Sequence, residues 1–290
     1  MCKIYSKGSE ICINGYLYHI LKPLFKSIED EIKGGTVKHL SASRISKIEI
    51  PIPPLPVQEE IVRILDTFTD YTAELQAELQ ARREQYDYYR NKLLSFEGDS
   101  SVEWKCLGDI GNVCMCKRIM KHETNTVGGI PFYKIGTFGK EADAFISTDL
   151  YLDYKSRFSF PSKGEILISA SGTIGRSVIY DGRDAYFQDS NIVWLQNNET
   201  LVLNKFLYYC YQIIDWNVEG GTIKRLYNNN IIKAKIPVPP LSEQRRIVAI
   251  LDKFEALVND LTEGLPAEIA ARQEQYEYYR DKLLNFPKAV

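Results

Sequence analysis

The sequence predicts an α/β chain in which a mixed α/β globular unit is joined to two long helices that carry a coiled-coil seam. Two observations predict it. One passage occurs twice, as Lys47-Ile48-Glu49-Ile50-Pro51-Ile52-Pro53-Pro54-Leu55 and as Ala234-Lys235-Ile236-Pro237-Val238-Pro239-Pro240-Leu241, with Pro51 and Pro237 186 residues apart. Each copy then enters a charged heptad stretch that closes on Gln-Tyr-Asp/Glu-Tyr-Tyr-Arg. A period this long lies far outside the roughly 20 to 50 residues of a solenoid, so it marks two large modules, each a globular part followed by a helix.

The copies extend upstream of the prolines. Gly34-Gly35-Thr36-Val37-Lys38-His39-Leu40 matches Gly220-Gly221-Thr222-Ile223-Lys224-Arg225-Leu226, and Asn14-Gly15-Tyr16-Leu17-Tyr18 resembles Asn204-Lys205-Phe206-Leu207-Tyr208. The second copy has room for a further domain before Asn204, whereas the first begins at Met1, so the first globular module is expected to be a stump. Between Ser101 and Ile236, glycine-bounded apolar runs predict strands at 130–135, 164–168, 177–180 and 191–195. An aromatic-rich amphipathic helix is expected over 206–216. The proline tract after it disfavours helix and is expected to be an extended exit linker.

After each tract the period becomes that of a coiled coil. Ile61, Leu65, Phe68, Thr72, Leu75, Leu79, Arg82, Tyr86, Tyr89, Leu93 and Phe96 follow alternating spacings of four and three, which predicts an unbroken helix roughly 50 Å long. Ile247, Leu251, Phe254, Val258 and Leu261 keep the same rule, then Leu265 and Ile269 interrupt it before Arg272, Tyr276, Tyr279, Leu283 and Phe286 resume. This four-residue stutter contains Gly264-Leu265-Pro266, so the second helix should kink or break there. Arg and Tyr late in both seams suit a wet, specific pairing. A lone amphipathic helix of this length is unstable in water, and the other copy is the obvious partner.

Composition narrows the function classes. The chain of 290 residues with 44% apolar content holds about two domains with real cores. A net charge of −2 and a pI near 6.0 exclude a protein coated in positive charge, yet leave room for a local basic groove. Cysteines at Cys2, Cys12, Cys106, Cys114, Cys116 and Cys210 form no C-x-x-C pair. The spacing of Cys106, Cys114, Cys116 and His122 does not match a zinc finger or ribbon, so reduced cysteines and no metal are expected. No signal segment and no apolar run of about 18 residues is present, so a soluble, cytoplasmic protein without membrane contact is expected.

Several further motifs accompany the repeat. Val102-Glu103-Trp104-Lys105-Cys106-Leu107-Gly108-Asp109-Ile110 opens the globular unit, and Ile168-Ser169-Ala170-Ser171-Gly172-Thr173-Ile174-Gly175 lies in its middle. Glu243-Gln244-Arg245-Arg246-Ile247-Val248 starts the second helix, and Gln275-Tyr276-Glu277-Tyr278-Tyr279-Arg280-Asp281-Lys282-Leu283-Leu284 ends it. In this order the chain resembles the specificity subunit of Type I restriction-modification systems over nearly its whole length. The resemblance implies a mixed α/β target-recognition domain plus two helices packed as an antiparallel spacer. Its expected parts are the C-terminal stump of a first recognition domain at 1–53, a helical spacer at 54–98, a complete recognition domain at 99–238 and a second spacer at 239–290. It also implies double-stranded DNA as ligand, two methyltransferase subunits docked on the chain, and restriction-translocase subunits completing the complex. One departure matters: the first recognition domain lacks counterparts of the Phe132 and Gly172 segments, so one chain is expected to recognise one half-site.

Sequence readout needs paired donors and acceptors at base edges, while Lys, Arg and backbone amides on phosphate fix the register. Candidate DNA-binding residues are Lys134 and Thr137 in a glycine-flanked loop with Lys140, and Ser169, Ser171, Thr173 and Arg176 around Gly172. Gln188 and Asn191 bracket Asp189-Ser190, and Thr222, Lys224 and Arg225 follow the Gly-Gly pair. Each has a plainer reading. The Gly172 loop is either a phosphate contact or a strand-joining turn. Gln188 and Asn191 either pair with adenine or cap a turn, and Lys224 and Arg225 either bind an anion or are solvated surface cations. Lys117, Arg118 and Lys121 form a further cationic cluster of either kind. Tyr86, Tyr89, Tyr276 and Tyr279 sit on the seams and should pack, whereas Tyr88 and Tyr278 lie off them, open to a methyltransferase subunit.

No catalytic motif emerges. Pro53-Pro54 and Pro239-Pro240 follow Ile52 and Val238, not the Asp or Asn of an adenine methyltransferase, and no G-x-x-x-x-G-K-[ST] loop exists. Asp181 and Asp184 lie in a turn without a nuclease lysine pattern. A non-catalytic recognition subunit without cofactors is therefore expected. Its rivals are a coiled-coil scaffold without DNA binding and a truncated recombination cassette, and a complete bipartite reader would arise only by self-association through the helices.

Overall fold

A computed structural model of the chain describes residues 4, 6, 8, 10–31, 45, 47–96, 98–219, 224–260 and 262–286. Both Gly-Gly loops of the repeat, at 34–40 and 220–223, lie outside them. In chain order the helices are α1 Asn14–Glu31, α2 Leu55–Ser95, α3 Thr148–Arg157, α4 Asn204–Tyr211, α5 Asn228–Lys233, α6 Leu241–Asn259 and α7 Leu265–Leu284. The strands are β1 Glu103–Cys106, β2 Asn112–Met115, β3 Thr124–Asn125, β4 Ile130–Tyr133, β5 Phe145–Ile146, β6 Ile166–Ser169, β7 Ser177–Ile179, β8 Tyr186–Phe187, β9 Ile192–Gln196 and β10 Lys235–Val238. The fold is mixed α/β with long helices. It divides into two compact units, Met1–Glu84 with Glu255–Val290, and Gln85–Phe254.

The heptad seam becomes one 41-residue helix, α2. At 1.5 Å per residue it is about 60 Å long, somewhat more than its seam suggested. Ile61, Leu65, Leu75 and Tyr86 are buried and Phe68, Thr72, Leu79 and Arg82 half-buried, as a 3.5-residue period requires. Near its end the buried position slips to Leu94, beside Leu93, before Phe96 turns to a positive φ of 40° and ends the helix. The second seam breaks as the stutter predicts, between α6 and α7. Pro266 sits in the first turn of α7, where its missing N–H costs nothing. Gly264 is held so close to the end of α6 that a Cβ would stand 2.6 Å from the Ala256 carbonyl oxygen.

The two units are built from the same parts. In the first, α1 buries Tyr16, Ile20 and Leu21 against Ile61, Leu65 and Tyr276. Phe68 stacks on Tyr279 at 5.4 Å, and Tyr71 bonds Glu268, so α2 and α7 run antiparallel there. In the second, Tyr89 stacks on Phe254 at 5.6 Å, the corresponding pair with the helices exchanged. His19 reaches Asp66 at 2.8 Å in the first unit, and Tyr209 donates to Asp252 at the matching place in the second.

A buried glutamine is duplicated most faithfully. Gln58 accepts from the Ile13 N–H at 3.0 Å and donates to the carbonyls of Ile11 at 2.9 Å and Pro53 at 2.7 Å. Gln244 accepts from the Leu203 N–H at 2.9 Å and donates to Leu201 and Pro239, both at 2.8 Å. Both side chains are wholly buried. Each satisfies three backbone groups that a turn into a helix would otherwise leave unpaired, and so fastens helix, proline tract and globular part together.

The globular unit holds two four-stranded sheets, ordered β2-β9-β6-β7 and β3-β5-β4-β8, and the pair β1-β10. The first sheet is antiparallel, and β4 pairs with β8 in parallel. Trp194, Leu167, Phe132, Tyr151 and Tyr186 form the core where the sheets meet. Two expectations change. The proline tract of the second copy is a strand rather than a free linker: Ile236 pairs with Lys105, and Pro237 with Trp104. A two-stranded edge tolerates the missing proline N–H. The aromatic helix starts at Asn204 and ends at Tyr211, five residues short of the expected Trp216. Helix α3 was not anticipated, although Ser147 caps it with a 3.2 Å bond to the Leu150 N–H and Lys155 and Arg157 close it.

Replacing Gln244 with alanine strands one donor and two acceptors in the interior. Gln244→Ala should lower unfolding stability by about 3 kcal/mol, measured by urea denaturation. A loss below about 1 kcal/mol would mean that the clasp is dispensable.

Candidate nucleic-acid interface

The site forms where the chain passes from one sheet to the other. β8 ends at Phe187 and β9 begins at Ile192, so residues 188–191 cross between the sheets. This crossing is fixed on every side. The Gln188 N–H donates to the Tyr133 carbonyl at 2.9 Å, the Ile135 N–H donates to Gln188 Oε1 at 3.0 Å, and the Ala170 N–H donates to the Asn191 carbonyl at 2.7 Å. Ser190 takes a left-handed φ of 50°, uncommon for a residue with a Cβ.

Two arginines clasp the same loop. Arg118 Nε donates to Asp189 Oδ2 at 2.8 Å. Arg225 donates to the Ser190 carbonyl at 3.1 Å, to Ser190 Oγ at 2.9 Å and to Asn191 Oδ1 at 3.3 Å. Ser171 Oγ donates to the same Asn191 oxygen at 2.9 Å and links the Gly172 loop to the crossing. Around it opens a cleft of about 560 Å³ whose polar lining includes Arg118, Lys121, Lys134, Gln188, Asn191 and Arg225. Four cations line it against one carboxylate, Asp189, already paired with Arg118. A concave, cationic surface of this kind concentrates anions although the chain as a whole is slightly acidic.

The sequence candidates separate into two groups. Lys134, Gln188, Asn191 and Arg225 share the cleft, and Ser171 is tied to it through Asn191. Lys134 is half-exposed and pairs with Asp143 at 2.8 Å. Thr173 and Lys224 are exposed, and Thr222 lies outside the described residues. Three candidates are committed internally. Ser169 is buried and donates to the Thr173 carbonyl, so its hydroxyl holds the turn and offers nothing at the surface. Thr137 Oγ1 accepts from the Lys134 N–H at 3.1 Å and closes a local turn. Arg176 donates to the Phe138 carbonyl at 2.9 Å and to Thr173 Oγ1 at 3.3 Å, bracing two loops. Gly172, at φ 66°, and Gly175, at φ 81°, supply the left-handed turns of that hairpin.

Arg118 and Lys121 belong to the cleft more clearly than their sequence setting suggested. The lysine-arginine cluster was visible, but the partner that brings it there, Asp189, is distant in sequence. The cysteines near it serve packing: Cys116 is buried in the core, and burial pushes its thiol up to about 12. Among the described residues, no group of three or more His, Cys, Asp or Glu is placed to hold a metal, and no helix is long and apolar enough to cross a membrane.

The family described as the Type I restriction modification DNA specificity domain matches residues 1–84 and 100–271. A putative type I restriction enzyme specificity subunit of Haemophilus influenzae is 54% identical over 288 residues, covering 96% of this chain and 74% of that protein. The EcoR124I/EcoR124II specificity subunit of Escherichia coli is 36% identical over 295 residues, covering 94% of this chain and 71% of its own. The crystal structure of a Type I restriction-modification S subunit from M. genitalium shares the fold at a TM-score of 0.60 with 18% identity, over 98% of this chain and 75% of that one. The chain therefore belongs to the Type I restriction-modification DNA specificity family.

Proposed function

We propose that residues 101–236 recognise one half of a split DNA site and that the two helices are the spacer on which methyltransferase subunits dock. The observation that carries the first part is the cleft: four cations and two amide side chains at a crossing loop clasped by Arg118 and Arg225. Cations suit the phosphate backbone, and amides on a rigid loop suit base edges. The domain reading follows, with part of a first recognition domain at 1–53, a second recognition domain at 99–238 and spacers at 54–98 and 239–290. Support for a single half-site comes from the repeat, because the glutamine clasp occurs twice and the crossing loop once among the described residues. Tyr88 and Tyr278, 60% and 55% exposed, offer matching positions on the two helices for a methyltransferase subunit.

In this reading the chain is a cytoplasmic recognition subunit, and methyl transfer, translocation and cleavage belong to its partner subunits. The decisive experiment is a methylome of cells that express the chain with the methyltransferase of its own host. One modified motif is expected, and a palindromic split motif would mark a site shared by two copies of the chain. Absence of any modified motif would contradict the proposal.

Two neighbouring cations should behave differently. Lys224 is exposed, so Lys224→Ala should weaken binding to all duplexes alike and reduce the salt dependence by about one phosphate contact. Arg225→Ala should also erode discrimination between sequences, because it frees the crossing loop. Equal, sequence-independent losses from both variants in salt-titrated binding would remove Arg225 from its role in positioning that loop.

A further inference from the structure

Gln188 and Asn191 each have one end already spoken for. Gln188 Oε1 accepts from the Ile135 N–H, and Asn191 Oδ1 accepts from Arg225 and from Ser171. These partners fix which end of each amide is which. A backbone N–H and a guanidinium are donors only, so a flipped amide would set donor against donor and strand it at a cost of about 1 to 3 kcal/mol. Neither amide nitrogen has a hydrogen-bond partner among the described residues, and neither is sealed from solvent. Both residues line the cationic cleft.

The remaining polar groups there point the same way chemically. Arg118, Lys121, Lys134 and Arg225 are donors without acceptor capacity. Most acceptors of the crossing loop are engaged, Asp189 Oδ2 by Arg118 and the Ser190 carbonyl and hydroxyl by Arg225, which leaves Asp189 Oδ1 as the exception. Donors therefore predominate along the wall beside the two amide nitrogens.

A donor wall selects among base edges. In the major groove guanine presents two acceptors, N7 and O6, and thymine presents O4, whereas in the place of O6 or O4 adenine and cytosine carry amino groups that would meet a donor head-on, adenine keeping only N7 as an acceptor. Bidentate pairing of Asn or Gln with adenine needs the amide oxygen as well as the nitrogen. Here Asn191 Oδ1 already accepts two bonds, and Gln188 Oε1 is turned onto the Ile135 N–H. Resting on the half-site reading above, we infer that Gln188 and Asn191 are specificity-determining residues that contact guanine or thymine through their amide nitrogens and reject adenine and cytosine.

The test is selection from a randomised duplex pool by the full chain, purified from its own host with the subunits that accompany it. Gln188→Glu and Asn191→Asp replace each donor by an acceptor while keeping the oxygen that Ile135 or Arg225 requires, and thermal unfolding checks that each variant folds. The wild type should prefer guanine or thymine at one or two positions by roughly tenfold or more. Each variant should lose that preference or move it towards cytosine at its own position, with every other position unchanged. Adenine at the positions that respond to the variants would overturn the inference, as would motifs identical in wild type and variants, or a uniform loss of binding to all sequences. If one variant fails to fold, the other decides. A wild type that enriches no motif would sink the half-site reading itself, and this inference with it.

Discussion

Everything else in the chain depends on a buried glutamine bonded to three backbone groups. At Gln244 the side chain holds the entry to α4, the proline tract and the first turn of α6 in one arrangement, and Gln58 does the same for α1 and α2. A helix start, a proline-rich strand end and a loop all leave backbone groups without regular partners. Burying such a junction without the amide would cost several times the net value of an ordinary hydrogen bond. The clasp thus fixes the direction in which each helix leaves the globular part to which it is bonded.

The same logic recurs at the cleft with charged groups. Residues 188–191 cross between two sheets, with a left-handed serine among them, and are held by Arg118 on one side and Arg225 on the other. Those arginines have two effects at once. They engage acceptors on three of the loop's residues, and they make its surroundings cationic. A rigid loop that turns two free amide nitrogens into a cationic cleft is preorganised for acceptor-bearing partners and loses little entropy on meeting them.

The sequence made the scaffold legible because periodicity survives in one dimension. The 186-residue repeat, the heptad seam of α2 and the break at Gly264-Leu265-Pro266 all correspond to observed elements. The proline tract was harder: pairing between Ile236 and Lys105 depends on a strand far away in sequence, and the first copy has no described strand corresponding to β1. Helix α3 is hard to read from sequence because its capping signals are local and its apolar stripe is weak. At the cleft, residue types showed which groups can meet DNA but not which are already engaged. Ser169, Thr137 and Arg176 are of types that can meet DNA, yet each is bonded within the fold, to Thr173, Lys134 and Phe138, and the pairing of Arg118 with Asp189 leaves no trace in spacing.

If the clasp fastens each globular part to its helix irrespective of the recognition domain, it should be equally firm in both units. Hydrogen exchange at the Ile13 and Leu203 amides, the two N–H groups that the glutamines accept, measures this directly. Both should exchange only through large-scale unfolding, with protection comparable to the buried strand β9. Exchange of the Ile13 amide at the rate of an exposed loop, with Leu203 protected, would show that the recognition domain rather than the glutamine holds the joint.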